Sequence, residues 1–153
     1  MGLLQVNTET VTTPVASVTL TGIDSDNVYM VAINNLGTSV DNADFYLNYV
    51  KASDSSVDTT ANYVSANKGL YSIATYQNNT QTGQNNLKVM YARGNLTTEK
   101  SNCIIYLYNT FSSSELSFST FEANGYNYSG YLYGEQGGGV HTVAQSNSGV
   151  NFS

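Results

Sequence analysis

The chain has little of what most enzyme sites are built from. Cysteine, proline and histidine occur once each and tryptophan is absent. One cysteine excludes an intramolecular disulfide. Cys103 sits in the apolar run Cys103-Ile104-Ile105 and reads as a small core side chain, not a reactive thiol. One histidine leaves a metal centre or histidine-dependent catalysis resting on His141 alone, so a hydrogen-bonded strand histidine is the expectation, with no metal and no cofactor.

Charge is scarce as well. Ionisable Asp, Glu, Lys and Arg make up 10% of the 153 residues, against about 25% in an average soluble protein. The net charge is -6, and the basic residues Lys51, Lys68, Lys88, Arg93 and Lys100 are scattered. No basic patch exists to follow a phosphate backbone, which argues against nucleic-acid binding. No apolar run is long enough to span a membrane, and residues 1–5 have neither the positive region nor the apolar stretch of a secretory signal, so neither is expected. Solubility then rests on Asn, Ser, Thr, Gly and Tyr. Such a surface repels neighbours weakly and loses little side-chain entropy on contact, which suits a protein packed in an assembly.

The acidic residues suggest two chemistries, and neither is supported by spacing. Asp24, Asp26 and Asp41 could serve a calcium loop, but Asp24-Ser25-Asp26-Asn27 lacks the glycine and closing glutamate of an EF-hand. Glu99, Glu115, Glu122 and Glu135 could supply a glycosidase pair, but nothing in the sequence sets two of them across a cleft. No enzymatic activity is expected.

What the chain does have is β-branched and aromatic residues in short runs. Residues 28–34, Val-Tyr-Met-Val-Ala-Ile-Asn, form the longest run apolar in both parities, which predicts a central strand covered on both faces. Elsewhere apolar and polar residues alternate, as at Ala16, Val18 and Leu20 or at Phe45, Leu47 and Tyr49. Residues 78–86 read as a polar loop. The glycine-rich residues 134–139 read as a tight surface loop using positive φ. Residues 150–152 read as a last fragment. The result is an all-β chain of about nine short strands with little or no helix, an antiparallel β-sandwich of jelly-roll type. Residues 1–14 form an N-terminal arm and 15–153 a single domain.

Tyr126, Tyr128, Tyr131 and Tyr133 cluster among glycines. Tyrosine offers a flat, rigid surface with a polar tip, so the cluster suits a subunit interface or stacking on a sugar.

Several phrases carry a family resemblance: Leu3-Leu4-Gln5-Val6-Asn7, Val18-Thr19-Leu20-Thr21-Gly22-Ile23-Asp24-Ser25, Ile104-Ile105-Tyr106-Leu107-Tyr108-Asn109 and Gly137-Gly138-Gly139-Val140-His141-Thr142-Val143. Through them the chain resembles small virion structural proteins of tailed bacteriophages, especially those of marine bacteria and cyanobacteria. The resemblance implies a β-sandwich on the particle surface, as a head-decoration or cement subunit. A tail-fibre or fibre-tip module binding host glycans is the alternative. It implies no catalytic residue. The expected partners are other copies of the chain, as a trimer or symmetric array, and other virion proteins. Relatives of this kind continue past the position of Phe152 into another strand. Two expectations follow: either a longer chain supplies that strand and closes the sheet, or residues 150–152 leave an open sheet edge paired by a neighbouring chain.

Overall fold

Alternating side chains, short turns and the near absence of helix-forming patterns lay this sequence out as ten strands, seen in a computed structural model that describes residues 3–153. They are β1 (Val18–Thr21), β2 (Tyr29–Leu36), β3 (Ala43–Lys51), β4 (Tyr63–Tyr71), β5 (Thr75–Gln84), β6 (Leu87–Arg93), β7 (Ser101–Tyr108), β8 (Ser117–Tyr126), β9 (Leu132–His141) and β10 (Asn147–Phe152). No helix occurs among the described residues. The strands form two antiparallel sheets, β1-β10-β3-β6 and β2-β7-β8-β9-β4-β5. The two sheets make an antiparallel β-sandwich, and the chain crosses repeatedly from one to the other.

The two sheets meet through one face each. Leu47, Tyr49, Leu87, Val89, Met90, Val150 and Phe152 from the smaller sheet pack against Tyr63, Ile105, Leu107, Phe121 and Ala123 from the larger, with Cys103 buried among them. Strict period-two burial along β8 shows how the pleat sorts its residues between core and solvent.

Residues 28–34 do not form the central strand. β2 is an edge strand, paired among the described residues with β7 alone, and Val28 lies outside it. Its parities separate: Tyr29, Val31 and Ile33 turn toward the core, while Met30 and Ala32 face solvent. Apolar residues in both parities here signal an inner face plus an exposed outer patch. Burial on both faces would need a third layer, and the sandwich has two.

Nor is the C-terminal fragment an open edge. β10 pairs with β1 on one side and β3 on the other, and Phe152 stacks on Phe45 with ring centroids 5.5 Å apart. Its polar side chains are satisfied in place. Asn147 Nδ2 donates to Ser117 Oγ at 3.0 Å and Asn151 Nδ2 to Thr19 Oγ1 at 2.8 Å. Those bonds offset the cost of burying amide side chains in a strand with two partners.

Two loops expected from composition are strands. Residues 78–84 belong to β5, an almost wholly exposed edge strand whose backbone pairs along the length of β4. Residues 134–139 lie in the middle of β9 between β8 and β4, and none of these glycines has positive φ. Their use is close approach: a Cβ on Gly139 would stand 2.5 Å from Leu87 Cδ2 of the facing sheet.

Candidate functional site

Strands β2, β4, β6 and β8 all finish at one end of the sandwich, and the turns that follow them gather there. The β8–β9 turn is the best built. Asn127 is buried, and its Oδ1 accepts the N–H groups of Ser129 at 3.1 Å and Tyr131 at 2.9 Å. Gly130, at φ 75°, closes the turn by donating to Asn127 O at 2.9 Å. This frame holds Tyr126, Tyr128 and Tyr131 half-exposed on a turn with little freedom to collapse.

Neighbouring loops are tied to it. Tyr128 N–H donates to Ala92 O at 3.0 Å, and Gly94 N–H to Tyr126 O at 3.3 Å. Ser72 N–H donates to Leu132 O at 3.0 Å, which brings the β4–β5 turn alongside, while Thr38 Oγ1 donates to Gly94 O at 2.9 Å from the β2–β3 connection. Inside the β6–β7 connection, the Glu99 carboxylate accepts Leu96 N–H at 3.0 Å. Each of these loops presents an exposed apolar residue: Val40, Ile73, Leu96 and, beside Tyr131, Leu132. The end of the molecule is thus a semi-rigid apolar and aromatic surface.

Tyr133 does not share that surface. It points inward from β9, fully buried, stacked on Tyr71 at 4.2 Å between centroids, with the Arg93 guanidinium 5.2 Å from its ring. Alternation decides this. Tyr131 precedes the strand in the turn, and Tyr133 occupies its first inward position.

Beneath the surface lies an ion pair that the sequence did not announce. Arg93 from the end of β6 meets Glu135 of β9 between the sheets. Glu135 Oε2 also accepts Tyr91 N–H at 3.0 Å, and Arg93 Nη1 donates to Tyr133 O at 3.3 Å. Burial outweighs the attraction of Arg93 and pushes the Glu135 carboxyl up to about 7; the same burial lowers Arg93 from its ordinary value. Arg93 and Glu135 are 42 residues apart, and no spacing rule connects them.

The other acidic candidates are dispersed. Glu122 points outward from β8 and accepts Gln136 Nε2 at 2.9 Å, so the sheet itself separates it from inward-facing Glu135. Glu99 serves its own loop, and Glu115 is exposed in the β7–β8 connection at the opposite end. Asp24 and Asp26 lie in the β1–β2 connection, and Asp41 in the β2–β3 connection at the other end. His141 closes β9, fully buried, its ring 4.8 Å from that of Tyr63 and its Nε2 3.3 Å from Asp58 Oδ2. Burial lowers its pKa against the pull of Asp58, which favours the neutral imidazole.

A second exposed surface is the outer face of the larger sheet. Met30, Ile104, Tyr106, Phe118, Leu70 and Tyr76 stand on it. Near its middle a shallow depression of about 280 Å³ is lined by Ile104, Tyr106, Thr120, Glu122 and Gln136.

No family model, curated protein or solved structure matches this chain.

Proposed function

We propose that the chain is a non-enzymatic virion structural protein, a phage head-decoration or cement subunit that works on the particle surface as a symmetric oligomer. The observation that carries this reading is the loop end: Tyr126, Tyr128 and Tyr131 on a turn stiffened by Asn127, surrounded by Val40, Ile73, Leu96 and Leu132. Rigid aromatic area loses little entropy when covered, and low charge leaves little to desolvate. Both favour permanent contact with neighbouring subunits. The resemblance to virion structural proteins supplies the setting. Labelling intact particles with an antibody to this chain tests it: signal over heads is the expected result, and particles without signal would overturn it.

A second reading has its own support. The depression on the outer sheet face sets a Tyr106 ring beside the hydrogen-bonded pair Glu122 and Gln136, an aromatic platform next to planar polar groups. That combination suits a sugar ring, and it favours a receptor-binding tail-fibre or fibre-tip module for host glycans. Glycan-array binding by the isolated protein, with label at the tail, would replace the decoration reading with this one. Release of oligosaccharides from host polysaccharide would overturn both by revealing an enzyme.

A further inference from the structure

The N-terminal arm carries apolar side chains that the fold leaves uncovered. Leu3 and Leu4 are 89% and 87% exposed, and Val6, Val11 and Val15 are exposed as well. Residues 3–13 contain six β-branched residues among eleven and neither glycine nor proline. This is strand composition. Yet among the described residues no backbone group of residues 3–17 is hydrogen-bonded to another backbone group.

The arm runs beside β1, the edge strand of the smaller sheet, and touches the chain at its end, at Thr21 and at Gly22 just after it. Asn7 Nδ2 donates to Thr21 O at 3.2 Å, and the Val6 methyl lies where a side chain on Gly22 would begin. Between them a gap of about 300 Å³ opens, lined by residues 9–13, Val15 and residues 17–19. β1, Val-Thr-Leu-Thr, is uncharged, and among the described residues it pairs with β10 alone, which leaves its outer edge unpaired. Unpaired, uncharged edges invite a strand.

The connection explains the gap. To pair with its own β1, the arm must reverse direction within the segment that contains Thr12-Thr13-Pro14-Val15. Pro14 fixes its own φ and holds Thr13 extended, and the reversal made here leaves the arm unpaired and the gap open along residues 9–13. An arm arriving from another molecule needs no reversal. It can close onto β1 along its length.

We infer that the arm is an exchange strand: residues 4–10 of one copy seat antiparallel on the outer edge of β1 of a second copy, with Asn7 at Thr21 and Val6 on Gly22. The contacts are those of the closed chain, made between molecules and completed by backbone pairing. The partner is a second copy of this chain, because the docking contacts already exist between its own residues. This deepens the oligomer reading above and rests on it.

Thiol cross-linking tests it. Asn7→Cys chains are mixed with Thr21→Cys chains and treated with a short bismaleimide; Cys103 is buried and stays unreacted. Sedimentation of the unlabelled protein is measured alongside. Exchange yields a covalent heterodimer in the mixture, absent from either variant alone. A second full-length variant, Leu4→Asp with Val6→Asp, associates about tenfold more weakly or worse. An oligomer that gives no heterodimer, with the Asn7→Cys, Thr21→Cys double variant closing within one chain, overturns the exchange and leaves the oligomer reading standing. A monomer by sedimentation overturns both.

Discussion

Strands β2 and β10 exchange the places their sequences suggest. β2 is apolar in both parities and lies at a sheet edge; β10 reads Asn-Ser-Gly-Val-Asn-Phe and lies between two partners, with Val150 and Phe152 in the core. The difference is one of edges against faces. Composition reports how much of a strand's faces can be covered, whereas position in a sheet depends on which backbone edges find partners. Gly149 makes the point locally: a side chain there would run into the Leu20 carbonyl, so the residue that weakens β10 as a strand former is the one that lets β1 close on it.

The largest effect that tests this contrast is Val150→Asp. It buries an unpaired carboxylate in a two-sided strand, at several kcal/mol against a total of about 5–15 kcal/mol for a domain. Insoluble or unfolded protein is expected. A soluble variant with a cooperative melt would show that β10 is not central.

Next comes a buried charge that β9 tolerates. The Glu135 carboxyl is raised from 4.5 to about 7 in the folded chain, so between those values the native state binds more protons than the unfolded one. Stability therefore falls as pH rises through that window, by on the order of 3 kcal/mol at most. His141 acts oppositely: held neutral in the fold, with its pKa lowered from 6.5, it makes stability rise with pH as the unfolded imidazole loses its proton. Denaturant melts of wild type and Glu135→Gln from pH 4.5 to 8 separate the two. The difference between the curves should decline with pH in favour of the variant; parallel curves would show that Arg93 keeps Glu135 ionised throughout.

Within β2 the two parities should part company. Val31 packs inward at a half-covered position, and Val31→Asp should cost about 2 kcal/mol, less than Val150→Asp because water reaches the edge. Met30 faces out, 41% exposed, and Met30→Asp should stay within about 0.5 kcal/mol of wild type. Thermal melts rank all three. Equal losses at Val31 and Met30 would mean that β2 is covered on both faces, as its composition first suggests.

Three tyrosines of the aromatic cluster, Tyr126, Tyr128 and Tyr131, were legible as a surface because rigid, polar-tipped rings crowd together among glycines. Their apolar neighbours were not. Val40, Ile73 and Leu96 come from separate connections, brought together by hydrogen bonds such as Thr38 to Gly94 and Ser72 to Leu132. No local pattern encodes such a meeting. Tyr133 was misplaced by one step of alternation, since the start of β9 decides which tyrosine faces inward.

The sequence by itself determined the all-β class, the scarcity of helix and the inward places of Leu47, Tyr49 and Cys103, because alternation and a local apolar run are properties of each strand alone. Only the tertiary structure decided that the glycine run is a central strand, that polar β5 is a strand at all, and that Arg93 meets Glu135. In each case the deciding partner is remote in sequence: Leu87 filling the space over Gly139, the backbone of β4 pairing β5, a buried guanidinium reaching a carboxylate across the sandwich. Local preference fixes how a residue is inclined to lie. Which inclination prevails depends on what the rest of the chain places beside it.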